Sequence, residues 1–105
     1  MSIISVTLSV SENFIGAAFG KILLRTADFG EILKYITNAQ PTRTMSVNDK
    51  PTAKAYYTIE VDTAARQYRY FLYAENSQVY IEIPYEGIYK TNQQVLDFVA
   101  EYFEG

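Results

Sequence analysis

A chain of 105 residues, 49% hydrophobic and 20% charged, has the length and mix of one folded domain, which argues against disorder. It has no Cys and no His, which excludes disulfides, thiolate nucleophiles, iron–sulfur and thiolate zinc sites, imidazole bases and imidazole metal ligands. The net charge of −3 is unevenly spread: residues 1–74 hold eight Lys/Arg against six Asp/Glu, and residues 75–105 hold Lys90 alone against six carboxylates. Phosphate backbones want a basic face, so direct nucleic-acid binding is not expected. An acidic end suits a basic protein partner instead.

No apolar run approaches the roughly 20 residues of a membrane span. Residues 3–10 are too short and too alternating for the apolar core of a leader, and no basic segment precedes them. The chain therefore reads either as cytoplasmic or as a mature domain whose leader has been removed. Its compartment stays open.

Residues 3–10 alternate: Ile4, Val6, Leu8 and Val10 fall on one face, with Ser5, Thr7 and Ser9 on the other. That is a half-buried strand, and Ser11-Glu12-Asn13 breaks it. Residues 14–20 (FIGAAFG) fit a hairpin crossing or a packed loop. Gly16 and Gly20 are not followed by the Lys-Ser/Thr pair of a phosphate loop. Residues 21–25 form a short second strand. Thr26 is suited to cap a helix with Asp28 in its first turn, and Phe29, Ile32, Leu33 and Ile36 form the helix's apolar stripe. Gly30 is expected at a close helix–sheet contact. Asn38 and Pro41 stop the helix.

Residues 40–53 read as a long polar loop with Arg43, Lys50 and nearby Lys54 as a modest basic patch. Asn48-Asp49 marks a turn but lacks the spaced carboxylates of an EF-hand, so no metal or cofactor is expected. Three alternating strands follow, at 54–62, 66–74 and 78–83. Both faces of the middle one are partly apolar, so it is central and covered on each side. Pro84 has no N–H to donate, which ends the last strand or leaves it at an edge. Residues 85–87 turn the chain. Thr91 and Gln94 have capping-box spacing for a final helix that buries Val95, Phe98, Val99, Tyr102 and Phe103. Asp97, Glu101 and Glu104 lie outside that stripe.

This order predicts a single α+β domain over 1–105. Its antiparallel sheet has four to five strands and carries two helices on one face (β-β-α-β-β-β-α). The other face would present Tyr56, Tyr73 and Tyr80 beside Thr58, Glu60, Arg69 and Glu82.

The string YRYFLYAENSQVYIEIPYEGIYK (residues 68–90) resembles DUF5301, a family of small bacterial domains of unknown function. Residues 27–40 (ADFGEILKYITNAQ) and the polar loop ending at Pro51 resemble that family's first helix and following loop. The likeness covers roughly residues 25–100. It implies an extracytoplasmic module of Gram-positive bacteria, often behind a leader or a lipid-attachment cysteine, neither of which is visible here. It brings no catalytic residues.

Three functions are weighed. The first is a non-catalytic protein-binding module whose partner meets Tyr56, Arg69, Tyr73, Tyr80 and Glu82 on the outer sheet face, with Tyr85, Glu86 and Tyr89 at the turn. The second is a small acidic inhibitor from a phage or mobile element, of the anti-CRISPR kind, whose carboxylates occupy a basic nucleic-acid channel. The third is a hydrolase using a carboxylate pair such as Glu60 and Glu82, a reading that no particular spacing supports.

Overall fold

The computed structural model describes residues 3–11, 21–49 and 51–103. The readings of residues 12–20, Lys50 and Glu104 fall outside the described residues. Seven strands form one antiparallel sheet: β1 (Ile3–Val10), β2 (Ile22–Leu23), β3 (Gln40–Thr44), β4 (Tyr57–Thr63), β5 (Gln67–Glu75), β6 (Gln78–Ile83) and β7 (Gly87–Thr91). Their spatial order is β2-β1-β4-β5-β6-β7-β3. The described residues also include two α-helices, α1 (Phe29–Thr37) after the 3-10 turn Thr26–Asp28, and α2 (Gln93–Ala100) before the 3-10 turn Glu101–Phe103. No helix among the described residues is long and apolar enough to cross a membrane.

The α+β class is as expected, and both helices cover one face. Period-two alternation sends Val6, Leu8, Ile59, Leu72 and Ile81 to that face, where Ile32 of α1 and Val95 and Val99 of α2 meet them. Each of these side chains is essentially fully buried, and burial of one such chain contributes about 1.5–3 kcal/mol.

Two strands beyond the expected count come from segments read as loop and turn. β3 has no apolar alternation: its five residues, QPTRT, are polar apart from Pro41. It forms because it is an edge, pairing only with β7, where Pro41 lacks no needed partner. Arg43 at φ 70° marks the register shift between Pro41 and Thr44, and the Thr42 hydroxyl donates to the Ile88 carbonyl at 2.7 Å. β7 lies between β6 and β3, so residues 87–91 form a strand and not a helix entry.

That placement removes the expected capping box. Thr91 belongs to β7, Asn92 is the N-cap of α2, and no side chain caps it. α1 differs in the same way. Asp28 occupies its N-cap without a side-chain capping bond, because its carboxylate is spent on Arg25 at 3.1 Å and on the Tyr102 hydroxyl. The Arg25 guanidinium also lies 4.4 Å above the Tyr102 ring, so the start of α1 is tied to the end of α2. Gly30 makes no close contact: a Cβ there would meet nothing within 4 Å. Ile4, expected in the core, is 65% exposed, since an irregularity between Ile3 and Ser5 breaks the alternation.

Candidate functional site

The second face of the sheet carries the alternate residues. Thr58, Phe71, Glu82 and Ile88 stand opposite one another across β4, β5, β6 and β7. Glu60 stands opposite Arg69, and Tyr73 opposite Tyr80. Tyr56 joins this face by setting its ring edge-on to Phe71, centroids 5.4 Å apart.

The centre of this face, at Phe71, Tyr73 and Glu82, is not open to solvent. The chain between β3 and β4 crosses it. Ser46 is buried and donates to Glu82 Oε2 at 2.7 Å, and Tyr73 donates to Glu82 Oε1 at 3.0 Å. Tyr56 N–H donates to the Ser11 hydroxyl, and Ser11 N–H donates to the Tyr56 carbonyl. Pro51 is buried in the same segment. The expected exposed face is therefore corrected: Tyr73 and Glu82 are 6% and 5% exposed, and Glu60 is buried too. A carboxylate in such a place is costly unless each oxygen is supplied with a donor, and Ser46 and Tyr73 supply one apiece. Burial, reinforced by the hydrogen bond to Glu82, pushes the Tyr73 phenol well above its usual range.

Glu60 and Glu82 do not form a cross-strand pair. They lie on β4 and β6 with β5 between them, and each has its own partners. Glu60 is approached by Arg69 Nη2 at 3.6 Å and Lys21 Nζ at 3.8 Å. Among the described residues, no group of three acidic side chains gathers as a metal would require.

What is exposed lies where β6 turns into β7. Ile83 O accepts from Glu86 N–H, with Pro84 and Tyr85 between them. Tyr85 has φ 60°, the left-handed region that a Pro-led turn of this kind normally gives to Gly. A Tyr held there costs of order 1 kcal/mol or more and persists only where its surroundings fix it. Here the Tyr85 hydroxyl donates to Asp49 of the crossing segment. Tyr85 is 62% exposed, and Met45 and Val47 are exposed to a similar degree. Those two flank Ser46, which is anchored to Glu82 three residues before Tyr85. The result is an apolar corner on a fixed frame.

Beside this corner is an open hollow of about 740 Å³. One wall is the start of β5 with Arg66 and Arg69. The far wall is Pro84, Glu86 and Asp49. Arg66 lies 4.5 Å above the Tyr68 ring. Burial raises the Tyr70 phenol, with Tyr68 and Glu86 adding to the shift and Arg66 opposing it, so these groups share one local field.

Of the eight residues expected at the surface site, Arg69, Tyr85 and Glu86 are exposed, Tyr56 and Tyr80 are half-buried, and Tyr73 and Glu82 are buried. Tyr89 is half-buried on the helix-bearing face, opposite Ile81 and close to Gly87. Sequence reasoning missed Met45, Ser46, Val47, Asp49, Arg66 and Tyr68. For the first four, only the unusual length of the segment after β3 and its Pro51 marked the region, and neither says which face the segment covers.

A family model, DUF5301, described as "Domain of unknown function (DUF5300)", matches residues 4–90. Neither the comparison with curated proteins nor that with solved structures found a match.

Proposed function

The chain belongs to DUF5301, a domain of unknown function, and from that premise we propose that it is a non-catalytic protein-binding module whose contact surface is the corner formed by Met45, Val47 and Tyr85, with Arg69 and Glu86 at its rim. One observation carries this reading. Three of the five most exposed large apolar side chains among the described residues, Met45, Val47 and Tyr85, lie on two segments joined by the Ser46–Glu82 and Tyr85–Asp49 hydrogen bonds. Clustered exposed apolar groups with a polar rim mark interfaces more often than scattered ones do. The strained backbone of Tyr85 supports it, because the fold holds an aromatic ring outward at an energetic cost. The buried state of Glu82 removes one carboxylate from the acidic end that the phosphate-mimic reading would use.

The test is site-specific photo-crosslinking in the producing cell, with the crosslinker at Val47 and, as control, at Leu23 on the opposite edge of the sheet. A discrete adduct from Val47 is expected, reduced at least tenfold by Tyr85→Ala while the melting temperature stays within a few degrees. Equal adducts from both positions, or an adduct indifferent to Tyr85→Ala, would remove the corner as the contact surface.

A further inference from the structure

β5 is not paired evenly along its length. Residues 67–72 pair with β4, but only 71–75 pair with β6. From Gln67 to Tyr70 the strand has a neighbour on one side only, inside a sheet that continues on both flanks. The cause is Pro84. Extending the β6 register by two residues sets Pro84 opposite Arg69, and a proline has no N–H to give to the ladder. The chain then turns away into β7, and the notch it leaves is the hollow beside the apolar corner.

The direction of the free backbone groups follows from the two turns. Thr63 N–H donates to the Arg66 carbonyl at 3.0 Å, so Tyr68, Tyr70 and Leu72 exchange bonds with β4, and the residues between them face the other way. The tight turn at Asn76 and Ser77, both at positive φ, closes on Glu75 and Gln78 and gives the same parity along β6. The N–H and C=O of Gln67 and Arg69 therefore point into the notch.

The side chains give a preference. Gln67 and Arg69 belong to the face crossed by the segment after β3, and Tyr68 and Tyr70 to the helix-bearing face. Arg69 and Lys21 share the single Glu60 carboxylate, neither closer than 3.6 Å. No ion pair among the described residues engages Arg66, whose guanidinium rests on Tyr68. Gln67 Nε2 already donates to Asp62 Oδ1 at 2.8 Å, so the cationic groups left for an incoming acidic side chain on the β5 wall are Arg66 and the loosely paired Arg69, and the other face is aromatic. Asp49 and Glu86 on the far wall limit how much negative charge enters.

We propose that the notch receives an extended segment of the partner protein as an added strand along Gln67–Tyr70, apolar side chains against Tyr68 and Tyr70 and an acidic side chain toward Arg69. A strand rises about 3.3 Å per residue, so four or five residues fill the length. Main-chain bonds supply affinity and the alternating side chains supply selectivity. This rests on the protein-binding reading and names its mode.

The probe is an acetylated, amidated Val-Glu-Val-Glu-Val peptide, compared with Val-Lys-Val-Lys-Val and with an acidic version N-methylated at alternate residues. Amide hydrogen exchange in the full chain is read by NMR. The Gln67 and Arg69 amides exchange freely without peptide, and saturating acidic peptide slows both at least tenfold. N-methylation weakens binding at least tenfold, and Arg69→Glu reverses the preference toward the lysine peptide. Gln67→Pro removes a notch donor, spares the β4 ladder and also weakens binding. Protection of those amides in the free chain, no saturable acidic-peptide binding, or binding indifferent to N-methylation overturns the proposal. Peptide failure with an intact Val47 adduct sinks strand addition and leaves the module. Peptide binding without a Tyr85-dependent adduct sinks the corner and leaves the notch.

Discussion

The two faces of the sheet are covered in different ways. On one, α1 and α2 bring Ile32, Val95 and Val99 against strand residues that are wholly apolar at the centre. On the other, an irregular segment brings Ser46 to Glu82 and encloses Phe71, Tyr73 and two carboxylates. The first cover is held by area and shape, which are non-directional. The second is held by a few hydrogen bonds whose geometry must be met. The first tolerates chemically similar side chains, and the second depends on particular ones.

Substitutions sharpen this contrast. Leu72→Ala should cost the most, about 2–5 kcal/mol in urea unfolding, because it opens a cavity under both helices. On the other face, Tyr73→Phe keeps the ring and removes one donor from a buried carboxylate, for about 1–3 kcal/mol. A loss equal to that of Leu72→Ala would mean that the second face is packed like the first.

The same tyrosine gives a pH dependence of fixed sign. Its folded-state phenol is raised, so above about pH 10 the unfolded chain releases a proton that the folded chain keeps. Stability is then complete below pH 10 and falls as pH rises through that value toward the folded one. Tyr73→Phe should flatten the decline in urea midpoint between pH 9 and pH 11. An unchanged slope would place the alkaline loss on other tyrosines.

Ser46→Ala should cost about 1 kcal/mol and raise amide exchange chiefly in residues 45–56, leaving α1 and α2 protected. Exchange rising equally in the helices would join the two covers into one cooperative unit. The smallest effect is a gain: Gly30→Ala, exposed and free of contacts, should add up to about 1 kcal/mol.

The helix-bearing face was legible in the sequence because its signals are periodic. Val6 and Leu8, Ile59 and Val61, and Val95 and Val99 all fell where alternation or helical spacing placed them. Ile4 failed because a local irregularity leaves no trace in hydropathy. β3 and β7 were missed because an edge strand draws its pairing from a neighbour, and Gln40–Thr44 has no pattern of its own to show. The candidate site was less legible still. Tyr85 and Glu86 were found through the Pro-Tyr-Glu-Gly turn, but Tyr73 and Glu82 were placed outside because nothing in residues 45–56 says which surface they lie across. Polar side chains that bond one another at a distance of 36 residues carry no local signature.

The two-residue turn at Asn76 and Ser77 has a consequence for time as well as shape. It joins β5 to β6 with almost no loop to close, and β4–β5 and β6–β7 are joined nearly as tightly. β1 must instead find β4 across some fifty residues, and β3 must find β7 across more than forty. Closing such spans costs entropy before any contact repays it. The four-strand meander is therefore the natural folding nucleus, with the outer strands docking late. Kinetic measurements should show this as slowed refolding for Ile81→Val and accelerated unfolding for Val6→Ala.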